Sequence, residues 1–143
     1  MTAQEVFDRA MHLMAESDDS TGATVTADTQ EYKVKSVGIL NVLINECYPY
    51  SDTFQALEGK RGVLDPIYTL SDDIDMDDFL CGSVLPYGLA AELLKLEDAS
   101  IANYLYQRYR ELLELAKTSI AASSESIVDV YGIGTEYNEF SRW

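Results

Sequence analysis

Residues 75–98, DMDDFLCGSVLPYGLAAELLKLED, run straight into residues 99–123, ASIANYLYQRYRELLELAKTSIAAS, and the reading of this pair decides the fold. After Asp78 the first is apolar along nearly its whole length, as a helix buried on most sides is. Pro86 sits inside it and removes one helical hydrogen bond, so the spacing predicts a helix over 75–96 that is kinked near Leu85 or begins anew there. Asp98 stands where an N-cap belongs. Beyond it Ile101, Leu105, Leu112, Ala116 and Ile120 form one stripe, while Gln107, Arg110, Glu111 and Glu114 face away, which predicts the longest helix over 99–121. Tyr104, Tyr106 and Tyr109 read as helix packing and an interface surface rather than as a site.

The first half has two more helical patterns. In TAQEVFDRAMHLM, residues 2–14, Thr2 and Glu5 have the spacing of a capping box, and Val6, Phe7, Ala10, Met11 and Met14 share a face; a helix over 3–16 is predicted. The polar stretch ESDDSTGATVTADT, residues 16–29, is a loop. Asp28 and Glu31 repeat the capping spacing before a helix over 30–47, on which Val34, Val37, Leu40, Ile44 and Cys47 keep the period and which is apolar enough to lie centrally. Tyr48-Pro49-Tyr50 stops it, because a proline disfavours helix at the residue before it. Leu40, Ile44, Leu89, Leu93, Leu105 and Leu112 are the expected meeting point of the central helices.

Residues 50–73, YSDTFQALEGKRGVLDPIYTLSDD, form a long connection. Connections of this length inside a compact domain are functional or disordered more often than short ones. Leu57, Val63, Leu64, Ile67, Tyr68 and Leu70 predict partial packing with short strand pieces, and the EGKRG turn exposes Lys60 and Arg61.

With 25 acidic and 10 basic side chains, the 143-residue chain has a formal charge of -15. That balance argues against gathering a duplex through its phosphates and against an anionic membrane surface, both of which need clustered Lys and Arg. No stretch approaches the apolar length of a membrane span, and the N-terminus lacks the basic and apolar regions of a signal peptide. Cys47 and Cys81 lie in apolar stretches without a CxxC spacing, so they read as buried free thiols of a reducing compartment.

SDDIDMDDF, residues 71–79, holds five aspartates in nine positions: Asp72, Asp73, Asp75, Asp77 and Asp78. Asp73, Asp75 and Asp77 begin like a calcium loop, but Asp78 and Val84 occupy the positions that need Gly and a bidentate Glu. The reading is that Asp75, Asp77 or Asp78 caps the next helix and that the others favour its positive end. His12, the one histidine, has no nucleophile paired with it in sequence, and no phosphate loop, GxSxG or HExxH is present. Glu46 with Asp52, or Glu92 with Glu97, are pairs that arise by chance among so many carboxylates. A non-enzyme without cofactor or metal is the expectation.

The tail, SSESIVDVYGIGTEYNEFSRW, loses helical period yet carries Ile127, Val128, Tyr131, Tyr137, Phe140 and Trp143. Such a tail packs on its own domain or docks on a partner, which divides the chain into a helical domain over 1–126 and an extended aromatic segment over 127–143. The fold class is therefore mainly α: about four helices, a long connection between the second and third, and an extended C-terminus.

Residues 80–119, LCGSVLPYGLAAELLKLEDASIANYLYQRYRELLELAKTS, resemble the second half of the head–tail connectors (head-completion adaptors) of tailed bacteriophages. There an apolar helix with an "lPygLAaeLl" run precedes "eD…A…f…rYeelL". VFDRAMHLM and EYKVKSVGILNVLINECY are similar to that family's opening helix and its "Y…a…ilN.l..E" helix, and SIVDVYGIG resembles its closing segment. The resemblance implies a small helical bundle whose C-terminal segment reaches onto the portal protein. It implies a homo-oligomeric ring beneath the portal that extends the DNA channel and docks tail or stopper proteins, in a virion assembled in the bacterial cytoplasm. Under it, the aspartates are helix caps locally and an acidic, phosphate-repelling ring collectively. Lys60 and Arg61 are then a contact to DNA or a neighbouring subunit. The alternative from the charge alone is a small acidic regulatory or DNA-mimicking protein that binds a basic partner.

Overall fold

The computed structural model of the chain describes residues 1–16, 20–27, 29–56, 58–60 and 62–119. Among them the fold is mainly α, with four α-helices and no strand. The helices are α1 (Ala3–Leu13), α2 (Gln30–Cys47), α3 (Leu85–Leu94) and α4 (Ala99–Ser119). A 3-10 turn, Tyr48–Tyr50, closes α2 at Pro49, and a π-helical turn, Leu80–Val84, leads into α3.

α1 starts with the capping box that its sequence announces: the Glu5 amide donates to Thr2 Oγ1 at 3.2 Å, and the Thr2 amide donates to Glu5 Oε2 at 2.8 Å. The Thr2 amide first, and then the Thr2 hydroxyl donating to Glu5 Oε2 at 3.2 Å, hold the Glu5 carboxyl below its ordinary pKa. Val6, Phe7, Ala10, Met11 and Met14 are all buried. The helix stops at Leu13 rather than at 16 because Ala15 turns into the left-handed region, φ 58°. The Ala15 amide then donates to His12 O and the Glu16 amide to Met11 O, the paired closure of a Schellman motif.

Thr29 is the N-cap residue of α2, yet its hydroxyl makes no cap bond. Thr29 Oγ1 is buried, donates to Thr24 O at 2.7 Å and accepts from the Thr26 amide, which ties the preceding loop down. Asp28 of the expected capping pair lies outside the described residues, and Glu31 pairs with Lys35. Leu40, Ile44 and Cys47 face the core as expected, joined by Tyr32, Ser36 and Leu43, whereas Val34 is 73% exposed and Val37 only half-buried.

α3 is the hub instead of α2. It is buried nearly all round and packs on α1, α2 and α4. The predicted helix over 75–96 is shorter in fact, because residues 74–77 spend their backbone elsewhere: the Ile74 amide donates to Met1 O, and Asp75 O accepts from Thr53 Oγ1. The break falls where Pro86 predicts it. The Leu85 amide reaches back five residues to Leu80 O, and Pro86, lacking an amide, leaves Gly82 O to another donor. Arg9 supplies it, with Nη1 at 2.8 Å.

Asp98 caps α4, its Oδ1 accepting from the Ser100 and Ile101 amides at 3.0 Å each. The buried line of α4 is Ala102, Leu105, Tyr109, Leu113 and Ala116. It is rotated from the predicted stripe: Ile101 is 47% exposed, Leu112 is half-buried, and Ile120 lies outside the described residues. The rotation follows from Gly88. A Cβ there would sit 3.0 Å from the Tyr109 ring and 3.2 Å from Leu43 Cδ1, so the missing side chain is what lets Tyr109 press against α3. Of the six leucines and isoleucines expected to meet, all but Leu112 are fully buried.

The 50–73 connection is packed in part. Ile67 and Leu70 are buried, Leu64 is half-buried, and Val63 and Tyr68 are exposed; Leu57 lies outside the described residues. Asn41 of α2 clasps it: Nδ2 donates to Ile67 O and Oδ1 accepts from the Ile67 amide, both at 2.9 Å. The expected strand pieces reduce to isolated bridges among the described residues, such as the antiparallel one of Thr2 with Asp73.

Candidate docking surfaces

The aspartate run is divided among local tasks. The Asp72 carboxylate accepts from the Tyr68 and Thr69 amides and from Thr69 Oγ1, and these bonds, the Thr69 amide first, hold its pKa below the usual carboxylate range. Asp73 pairs through its backbone with Thr2. Asp77 is the cap, its Oδ1 accepting from the Leu80 amide at 2.9 Å while its own amide donates to Ser51 Oγ. Asp73, Asp75 and Asp78 remain exposed. Among the described residues no three His, Cys, Asp or Glu side chains are gathered as a metal site.

Lys60 is exposed beside Gly59, whose φ of 72° makes the turn, while Arg61 lies outside the described residues. So do all six tail residues, Ile127, Val128, Tyr131, Tyr137, Phe140 and Trp143. No helix among the described residues is long and apolar enough to cross a membrane.

Both cysteines are buried free thiols. Burial pushes the Cys47 thiol up to about 12 and the Cys81 thiol up to about 11. Cys47 Sγ lies 3.6 Å from the Tyr109 hydroxyl, which burial also raises, with the thiol adding to it. These are inert groups at neutral pH. Tyr109 belongs to this core; Tyr104 and Tyr106, at 63% and 48% exposure, are the members of the tyrosine cluster that face outward.

Two features escape the linear sequence. One is a groove of about 360 Å³ between α2 and the end of α3, floored by Gly38, Ile39 and Leu93 and rimmed by Leu96, which is 90% exposed. The other is a cleft of about 320 Å³ between α1 and α3, lined by Arg9, His12, Leu13, Gly82, Pro86 and Tyr87. His12 Nδ1 donates to Asp8 O at 2.7 Å, since a carbonyl only accepts, and this leaves Nε2 as the ring's second polar atom. Arg108 of α4, bonded to Glu111, also interacts with the Tyr87 hydroxyl. The one sequence signal for this cleft is the pairing of Pro86 with a glycine four residues before it, a carbonyl in need of a long-range donor.

Both clefts are shallow, apolar and edged by charge, and among the described residues no buried side-chain polar atom lacks a hydrogen-bond partner. Comparison with protein-family models, with curated proteins and with solved structures returns no match for this chain.

Proposed function

We propose that the chain is a structural subunit of the head–tail junction of a tailed phage, a non-enzymatic adaptor. In this reading it forms a ring beneath the portal, extends the DNA channel and gives tail or stopper proteins a docking surface. The observation that carries it is the α3–α4 hairpin. The segment over 80–119 that resembles the connectors folds as a proline-started apolar helix, an Asp98 cap and a long amphipathic helix. The formal charge of -15 suits a channel that must pass DNA without holding it. The exposed Val34 and Val42 on α2, and Ile101, Tyr104 and Leu115 on α4, provide apolar surface for neighbours. The aromatic tail from Ile127 onward supplies anchors for the portal or an adjacent subunit.

Electron microscopy of the purified protein, alone and with a portal protein encoded in the same genome, tests this. Rings stacked on the portal are expected. A small stoichiometric complex with a basic protein, and no ring with the portal, would favour the acidic-regulator alternative.

A further inference from the structure

The charges of this chain are sorted by segment. Residues 62–94 carry seven carboxylates and no Lys, Arg or His. α4 carries Arg108, Arg110 and Lys117 against Glu111 and Glu114, a net positive helix on a strongly negative chain. The cleft between α1 and α3 adds Arg9 near that helix, since Tyr87 lines the cleft and its hydroxyl interacts with Arg108. Arg9 spends one N–H on Gly82 O, and a guanidinium carries four more.

The acidic segment presents Asp75 and Asp78 to solvent together with two aromatic side chains, Tyr68 at 79% and Phe79 at 39% exposure. Its Tyr68-to-Asp73 part lies away from the cleft of its own copy. Asp73 is fastened to Thr2 at the start of α1, while Arg9 and His12 lie about 10 and 15 Å further along that helix at 1.5 Å per residue.

We propose that the α1–α3 cleft, with Arg108 at its edge, receives the segment 68–79 of a second copy of this chain, carboxylates on the Arg9 and Arg108 side and an aromatic ring against Leu13 and Pro86. The contact joins two different surfaces, so it is heterologous, and repetition of it makes a ring or a filament rather than a closed dimer. It rests on the reading that copies of this chain assemble with one another, and it assigns the faces.

Sedimentation of the full chain over a concentration range, at low and high salt, provides the test. Association that weakens with salt is expected. His12→Ala with Arg108→Gln, and separately Asp75→Asn with Asp78→Asn, each weaken it by about tenfold or more, circular dichroism remaining helical. All four side chains are exposed or half-exposed, so the folded core is left alone. Mixing the two variants restores a single good interface per pair and yields dimers that do not grow. Variants that associate like the unmodified chain, or a chain that stays monomeric throughout, overturn the inference. If the cleft variant still forms rings on a portal, the face assignment fails while the adaptor reading stands.

Discussion

Ala15 has a left-handed backbone, φ 58°, at a position where helices commonly place glycine. Its Cβ is strained there by about 1–2 kcal/mol, partly offset by the freedom a glycine would add to the unfolded chain. Ala15→Gly is therefore expected to stabilise the protein by about 0.5–1 kcal/mol in urea unfolding; a loss of stability would contradict the closure described for α1. The buried thiols give a second expectation. Cys47 and Cys81 have folded pKa values raised above their ordinary value, so the native state retains protons that the unfolded chain releases. The stability linked to them is fully present below about pH 9 and is lost as pH rises toward 11 to 12. Thiol reagents at pH 8 should react at the rate of global unfolding, and fast labelling of the native protein would refute the burial. Local signals such as Thr2 with Glu5 and Asp98 are readable because both partners lie within one turn. Ala15 is not, because alanine is the best helix former and its identity gives no sign of a stop.

The connection after α2 depends on Asn41, whose amide side chain replaces a neighbouring strand for Ile67. Asn41→Ala should cost about 1–3 kcal/mol and expose residues 50–73 to proteolysis faster than global unfolding does. Protection equal to the unmodified chain would show that Ile67 and Leu70 alone hold the loop. The helices themselves were legible from periodicity, and α2 falls on the predicted residues. Which face of α4 turns inward was not: Ile101 and Leu112 suggested one stripe, and a glycine on a different helix, Gly88, selected another by admitting Tyr109. Gly88→Ala places a methyl against that ring and should destabilise by about 1–3 kcal/mol in thermal or urea unfolding. An unchanged midpoint would mean that the two helices have room to spare.

At the scale of the molecule, the mainly α class, the helix order and most of the core followed from the sequence, and the α1–α3 cleft did not. It is assembled from Arg9, His12, Leu13, Gly82, Pro86 and Tyr87, which only the packing of α1 on α3 and the turn before it brings together. The aromatic tail remains a proposal, and truncation after Ser126 checks it. The shortened chain should keep its helical signal and unfolding midpoint while no longer joining the portal. A truncated chain that unfolds would make Ile127 to Trp143 part of the domain's own core.

The position of α3 as hub also orders events in time. The buried ridge of α1, Ala3 to Met11, finds its main partner in residues 85–94, so a chain leaving the ribosome carries that ridge uncovered until most of it has been made. α3 and α4 are neighbours in sequence and close the smallest loop, of four residues, between Leu94 and Ala99. The hairpin should thus be the folding nucleus and α1 the late arrival: Leu105→Ala slows folding, whereas Val6→Ala mainly speeds unfolding, as stopped-flow kinetics would register.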